Sequence, residues 1–260
     1  RSFLKDSEIG NSHTNCGKVQ DPYSMRCIPQ VHGSSRNAWL HLKEVVETEM
    51  NSVTDNPVII SEDLIISGGS FHGQPLAMPL DYACLAAAEL GSISDRRTYL
   101  SLEGKYDGTP RLLLKDTGLN SGFMILQYTT AALVSENKGL CFPASADSIP
   151  TSLGQEDHVS MGSISGRKAL RVLNNLEKIL AIELLCAAQA FDFRKPLHSS
   201  EVLDKVHKVI RSTIEHTTED RIFALDIEKE ILILKSYILL EITSEKNNAY
   251  SEFDAEFETY

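Results

Sequence analysis

The sequence LRVLNNLEKILAIELL, residues 170–185, places apolar side chains on nearly every face of a helix. A helix that is apolar all round must be buried on all sides. The pattern therefore predicts the central helix of a bundle, extending over about residues 157–191, and it agrees with burial inside an oligomer. Because this is the longest predicted helix, it determines the fold class.

Most of the remaining sequence has helical periodicity, interrupted by short stretches rich in glycine, proline and serine. Two apolar runs at 58–60 and 64–66 flank Ser61-Glu62-Asp63 and predict a small β-hairpin. The fold class is therefore mainly α, a long-helix bundle with at most a small β-hairpin near 58–66. The other helices are predicted over about 34–50, 74–102, 121–137, 200–212 and 219–240.

The chain divides by composition into three predicted segments. Residues 1–30 form a connecting segment that carries candidate site residues, and residues 31–240 form the helical bundle domain. Residues 241–260 contain six acidic residues and one lysine, which predicts a flexible, solvated acidic tail.

The composition limits the class of partner. The chain of 260 residues has 36 acidic and 25 basic side chains, a net charge of −11. Nucleic acids and anionic membranes would repel it, so we expect small solutes or other proteins as partners. Its five cysteines are odd in number and form no CxxC pair, which favours a reducing, cytoplasmic location. The missing initiator Met suggests that the chain begins inside a larger protein.

Common metal, nucleotide and hydrolase motifs are missing from the sequence. The eight histidines form no HExxH motif, and the adjacent Glu156, Asp157 and His158 are expected to cap a helix rather than bind a metal. The glycine-containing stretches at 67–70 and 162–166 match neither a Walker motif nor a dinucleotide fingerprint. The second stretch has no central serine and therefore excludes the GxSxG motif of serine hydrolases. We expect neither a metal nor a nucleotide cofactor.

Two polar clusters are candidates for a binding site. Gln20, Tyr23 and Arg26 recur at intervals of three, so one helical turn would bring them onto one face. Such a trio can hold an amino acid, with the guanidinium binding its carboxylate, or it can form a buried polar network. Gln155 and Glu156 precede the long helix, where the carboxylate can bind an imidazole, take a proton or cap the helix. Spacing alone favours the structural interpretation in both cases.

These clusters lie within longer segments that resemble the histidine ammonia-lyases of the aromatic amino acid lyase family. The similarity covers nearly the whole chain, and its order makes chance implausible. The matching segments are residues 19–27 (VQDPYSMRC), 51–57 (NSVTDNP), 69–75 (GSFHGQP), 119–124 (LNSGFM), 143–161 and 220–228 (DRIFALDIE).

The resemblance implies the removal of ammonia from L-histidine to give urocanate, by a homotetramer with sites shared between subunits. It implies an electrophilic methylidene-imidazolone prosthetic group, made from an internal Ala-Ser-Gly. By the same likeness Arg26 binds the substrate carboxylate, Gln20 and Tyr23 position the amine and the prosthetic group, and Phe71 packs beside them. Glu156 contacts the imidazole. Tyr23 and Glu156 are the implied catalytic residues.

The sequence also departs from the family pattern. It contains no Ala-Ser-Gly, so this chain can supply neither the prosthetic group nor the family's amino-terminal catalytic tyrosine. Leu225 stands where the family usually has proline, and His32 where methionine is common. We therefore expect a carboxy-terminal half that is inactive alone and requires the amino-terminal half of the same enzyme.

Two alternatives remain open. One is a non-catalytic helical assembly or regulatory protein that kept the fold. The other is a lyase or aminomutase acting on another aromatic amino acid, tyrosine or phenylalanine. Glu156 favours histidine, because a carboxylate suits an imidazole substrate.

Overall fold

The computed structural model describes residues 2–13, 17–106 and 108–244, and they are mainly helical. This confirms the predicted fold class, a long-helix bundle with one small sheet. The helices of the described part are α1 (Glu8–Ser12), α2 (Tyr23–Arg26), α3 (Ile28–Met50), α4 (Gln74–Leu102), α5 (Met124–Leu140), α6 (Gly162–Asp192), α7 (Glu201–Thr213), α8 (Phe223–Lys235) and α9 (Ile238–Ser244).

The predicted hairpin is present. Strands β1 (Val58–Ser61) and β2 (Leu64–Ile66) pair antiparallel, with Val58 opposite Ile66. Most of their side chains are exposed, and the sheet has no third strand among the described residues.

Several predicted helices have different limits in the structure, and α3 begins at Ile28 rather than near residue 34. The segment 219–240 forms two helices rather than one, because Tyr237 between α8 and α9 has a φ of 60°, outside the right-handed helical region. The long helix α6 begins at Gly162 rather than near residue 157. Residues 241–244 of the predicted acidic tail end α9, and residues 245–260 lie outside the described residues.

The chain divides into two compact units. The first comprises residues 1–26, 93–133 and 177–260, and the second comprises residues 27–92 and 134–176. The core of the first unit collects large apolar side chains from five helices and a connecting loop, among them Leu113, Phe123, Leu126, Ile182, Leu185, Ile210, Ile214, Phe223 and Ile233.

The second unit is built from small buried residues on neighbouring helices. Ala38 of α3 and Ala77, Cys84 and Ala87 of α4 are buried. The Ser35 hydroxyl of α3 donates to the Ala86 carbonyl of α4 at 3.1 Å. The small side chains of the alanine-rich centre of α4 let the two helices approach this closely.

Helix α6 is not buried on every side of the single chain. Ile179, Ala181 and Ile182 are fully buried, but Leu170 is 61% exposed and Leu173 is 39% exposed. The prediction of all-round burial is therefore wrong for this chain, because one face of the amino-terminal part of α6 carries no described neighbour over these two leucines.

Helix α4 is long and apolar enough to cross a membrane by length and composition alone, and no other described helix meets both criteria. The core helix of a soluble protein meets the same criteria. The buried Asp81 of α4 forms an ion pair with Lys168 of α6 at 2.8 Å, as expected for a helix packed against protein.

Candidate functional site

Tyr23 and Arg26 lie on α2, a single turn of helix in the first unit. The guanidinium carbon of Arg26 is 5.3 Å from the centroid of the Tyr23 ring, a cation–π contact. Both side chains are exposed, Tyr23 by 73%. They therefore present one cation and one phenol on a shared face.

Gln20 is not part of this helical turn, so the predicted common face of three side chains is wrong. The Pro22 carbonyl accepts from the backbone N–H groups of Met25 and Arg26 at 3.0 and 3.1 Å, which starts the helix there. A residue that precedes proline avoids helical geometry. Asp21 is such a residue, so the helix does not extend back to Gln20. Gln20 is exposed and lies in a bend.

The opposite side of α2 is anchored to the first unit. Ser24 is buried, and its carbonyl accepts from Arg97 of α4 at 3.5 Å. Arg97 also forms a two-point ion pair with Glu183 of α6, including an Nη2–Oε2 distance of 3.0 Å. This anchor leaves Tyr23 and Arg26 free to face a ligand.

A cavity of about 560 Å³ borders the same segment at Asp21 and Met25. Met25, Leu100, Ala190 and Phe191 make its wall largely apolar. Neither Tyr23 nor Arg26 lines it, so the cavity is separate from the candidate binding groups of the first unit.

Glu156 lies in the second unit, on an exposed loop well before α6. The prediction that it caps the helix is wrong, because α6 begins at Gly162. The backbone N–H of Thr151 donates to the Glu156 carbonyl at 3.0 Å, and the Thr151 hydroxyl donates to the Glu156 carboxylate. Hydrogen bonds from the Thr151 and Ser152 side chains lower the pKa of Glu156. The carboxylate is therefore ionised at neutral pH and can accept from a ligand N–H.

Phe71 lies in the turn between β2 and α4, and 55% of it is exposed. The next residue, His72, contacts His158 of the Glu156 loop with a ring centroid distance of 5.3 Å. The second unit thus brings the Phe71 turn and the Glu156 loop together through two histidines. Sequence reasoning placed both histidines in matching segments, but it assigned His72 no role and His158 only a part in capping a helix.

The candidate residues fall into two separate groups. Gln20, Tyr23 and Arg26 belong to the first unit, and Phe71 and Glu156 belong to the second. Within the described residues, no group of three or more His, Cys, Asp or Glu side chains is arranged to hold a metal ion. The first unit therefore presents a cation and a phenol that can bind a ligand, and the second unit presents an anion and an exposed aromatic ring.

Comparison with known proteins identifies the family. The family model described as aromatic amino acid lyase matches residues 1–212. The chain belongs to this family. It is 51% identical to the histidine ammonia-lyase of Natranaerobius thermophilus over 245 residues, which cover 93% of this chain and 48% of that protein. It is 47% identical to the histidine ammonia-lyase of Caenorhabditis elegans, covering 90% of this chain and 35% of the relative.

Solved structures of aromatic amino acid lyase relatives have the same fold. The crystal structure of histidine ammonia-lyase from Trypanosoma cruzi matches 100% of this chain and 49% of its own, with a TM-score of 0.88 and 40% identity. Tyrosine aminomutase from Streptomyces globisporus matches 95% of this chain and 51% of its own, with a TM-score of 0.83 and 34% identity. The chain spans about half the length of most of the relatives it matches.

Proposed function

We propose that this chain is the carboxy-terminal part of a histidine ammonia-lyase, which converts L-histidine to urocanate and ammonia. The observation that carries the proposal is the state of Glu156. Its carboxylate is exposed, held by the Thr151 hydroxyl and ionised at neutral pH. Such a group suits the N–H of an imidazole, because hydrogen bonds to a charged acceptor are the stronger kind.

The resemblance assigns further substrate contacts to the other candidate residues. Arg26 carries a permanent positive charge and a planar fork of donors, which bind a carboxylate at two points. By the family likeness, the Tyr23 hydroxyl and the Gln20 amide would contact the amine, and Phe71 would pack beside the substrate. The exposure of all four side chains supports this role, since none is occupied by packing in the core.

The family implies a methylidene-imidazolone group, formed from Ala-Ser-Gly, which supplies the electrophile that makes the β-proton of the substrate removable. The residues of this chain do not form that group, because its 260-residue sequence contains no Ala-Ser-Gly. In a complete enzyme the amino-terminal half would supply it. We therefore expect this chain to bind and orient substrate but to be inactive alone.

We also propose that the complete enzyme is a cytoplasmic homotetramer. The exposed Leu170 and Leu173 of α6 support the assembly, because a subunit interface is the usual cover for such apolar side chains. Location in the cytoplasm is supported by the free thiols of Cys27, Cys84 and Cys141. Cys16 lies outside the described residues.

Reconstitution tests the proposal. The chain is co-expressed with the amino-terminal half of the Natranaerobius thermophilus relative, and urocanate is followed by its ultraviolet absorbance. We expect activity with L-histidine in the complex and none with this chain alone. A stable complex that carries the prosthetic group and forms no urocanate would refute the function.

Glu156→Gln in the same complex tests the role of the carboxylate. We expect KM for L-histidine to rise by about tenfold to a hundredfold, as for loss of a hydrogen bond to a charged group. Glu62→Gln in the β1–β2 turn is the matched control and should leave KM unchanged. Equal KM values for the Glu156 variant and the wild type would exclude contact with the imidazole.

The similarity to tyrosine aminomutase supports one alternative, a lyase or aminomutase acting on another aromatic amino acid. It predicts turnover of L-tyrosine or L-phenylalanine in place of L-histidine by the reconstituted complex. Glu156 opposes it, because an ionised carboxylate would be desolvated against an aryl ring without a matching cation.

A further inference from the structure

Two loops of the second unit meet at a pair of histidines outside the proposed binding groups. His72 directly follows Phe71, and His158 is two residues after Glu156. Their rings stack with 5.3 Å between centroids and 23° between planes. His72 Nε2 lies 3.1 Å from the His158 carbonyl oxygen and 3.3 Å from His158 Nδ1. This pair directly links the Phe71 turn to the Glu156 loop.

The hydrogen bonds of His72 show which of its ring nitrogens donates. The backbone N–H of Gln74 donates to His72 Nδ1 at 3.3 Å, so Nδ1 is unprotonated and Nε2 carries the proton. That N–H points at the two acceptors of His158, its carbonyl oxygen and Nδ1. The ring of His72 therefore donates to the backbone of the other loop, a directed contact from one loop to the other.

Further contacts fix the two ends of the Glu156 loop, within the loop and against the residues that follow Phe71. The Gln74 side chain donates to the Ser145 carbonyl at 2.8 Å, and the backbone N–H of Val159 donates to the Ser148 hydroxyl at 2.9 Å. At Gly162 an added Cβ would lie 3.1 Å from the Ser160 hydroxyl oxygen and 3.3 Å from the Gly73 carbonyl oxygen. The loop 145–161 is thus fixed at both ends, and Glu156 lies in the exposed part between them.

We propose that His72 and His158 are positioning residues that hold the Glu156 carboxylate at a fixed place beside Phe71 for the substrate ring. This inference rests on the proposed function, since it assumes that Glu156 contacts the substrate. The histidines themselves touch the loop rather than the substrate. A carboxylate on an untethered loop would have to be ordered when substrate binds, so the tether lowers the entropic cost of binding. Its loss should weaken substrate binding more than it slows turnover.

Two substitutions at His72 separate the hydrogen bond from the ring stack. His72→Phe keeps an aromatic ring against His158 but removes the donor, whereas His72→Gln keeps a donor that reaches the His158 carbonyl. In the reconstituted complex we expect the Phe variant to raise KM for L-histidine about tenfold, with kcat changed less than twofold. The Gln variant should restore KM to near the wild-type value. The control His41→Phe, on α3 of the same unit, should change neither.

Hydrogen–deuterium exchange on the full chain alone gives a second readout that needs no activity. His72→Phe should speed exchange of amides in 151–159, with no change in the β1–β2 hairpin, and His72→Gln should return it toward the wild-type rate. Unchanged exchange in the Phe variant would overturn the inference whatever the activity. Faster exchange with an unchanged KM would also overturn it, since the tether would not position substrate. A wild-type complex inactive on L-histidine would instead refute the proposed function.

Discussion

The buried carboxyl group of Glu230 on α8 predicts how the stability of the chain changes with pH. Its side chain is fully buried, and neither carboxylate oxygen accepts a hydrogen bond from any described residue. Arg211 only weakly offsets the effect of burial on the pKa of Glu230, because its Nε already donates to Asp192 at 2.7 Å. Burial therefore raises the pKa of Glu230 from 4.5 to about 7, against the weaker attraction of Arg211.

The sign of the effect follows from the two pKa values. Below pH 4.5 the carboxyl group of Glu230 is protonated in both the folded and the unfolded chain, so its ionisation does not lower the free energy of unfolding. As pH rises toward 7 the unfolded chain releases the proton and the folded chain retains it, so stability falls. Integrated over the two pKa values, the loss is about 2 kcal/mol at pH 6 and about 3 kcal/mol at pH 8.5.

Glu230→Gln removes the titration while preserving the shape of the side chain. We expect the free energy of unfolding of the variant to exceed that of the wild type by about 3 kcal/mol at pH 8.5 and by about 2 kcal/mol at pH 6. Urea denaturation followed by far-ultraviolet circular dichroism measures both values. Glu228→Gln, on the exposed side of the same helix, is the matched control and should show no such difference.

The pH dependence is the decisive part of this measurement. A constant difference between Glu230→Gln and the wild type from pH 6 to pH 8.5 would show that Glu230 does not titrate in this range. The same reasoning would fail if the Glu228 control reproduced the effect, since net charge rather than burial would then be its cause.

Two further predictions concern stability. Asp192→Ala should lower the free energy of unfolding by about 3–5 kcal/mol, because the largely buried Arg211 loses its carboxylate partner at 2.7 Å; an unchanged urea midpoint would contradict this. Gly122→Ala should lower it by about 1–3 kcal/mol, since φ is 58° and the new Cβ would lie 2.6 Å from the Leu112 carbonyl oxygen. Gly139→Ala, with no neighbour within 4 Å, is its thermal-melting control and should not destabilise the chain.

The fold class could be predicted from sequence because long helices leave a periodic apolar pattern. Two helix breaks were missed by the sequence-based prediction, because they do not depend on the apolar pattern. Tyr237 separates α8 from α9 with a left-handed backbone conformation, and neither glycine nor proline marks that point. Gln20 is separated from Tyr23 by Pro22, whose effect on the preceding residue outweighs the spacing of three. Local backbone conformation, rather than hydrophobic pattern, decides both places.

The site was predictable only in part. The residue types at Tyr23, Arg26 and Glu156 indicate amino acid binding, but spacing did not favour that interpretation over a structural one. The contact between His72 and His158 joins residues 86 positions apart, and no local pattern predicts a pairing at that separation. Such contacts depend on how the chain folds back, which the periodicity of either segment does not encode.

The backbone of the Glu156 loop explains why its conformation depends on distant residues. Ser152 and Leu153 have φ values of 50° and 59°, a left-handed conformation that costs about 1–2 kcal/mol for each residue with a side chain. The loop therefore does not adopt this shape by local preference, and contacts elsewhere must offset the cost. The Thr151–Glu156 pairing offsets part of this cost within the loop, whereas the His72–His158 contact comes from a distant segment. A local view of Glu156 predicts a helix cap, whereas the contacts that close the loop produce an exposed, ionised carboxylate.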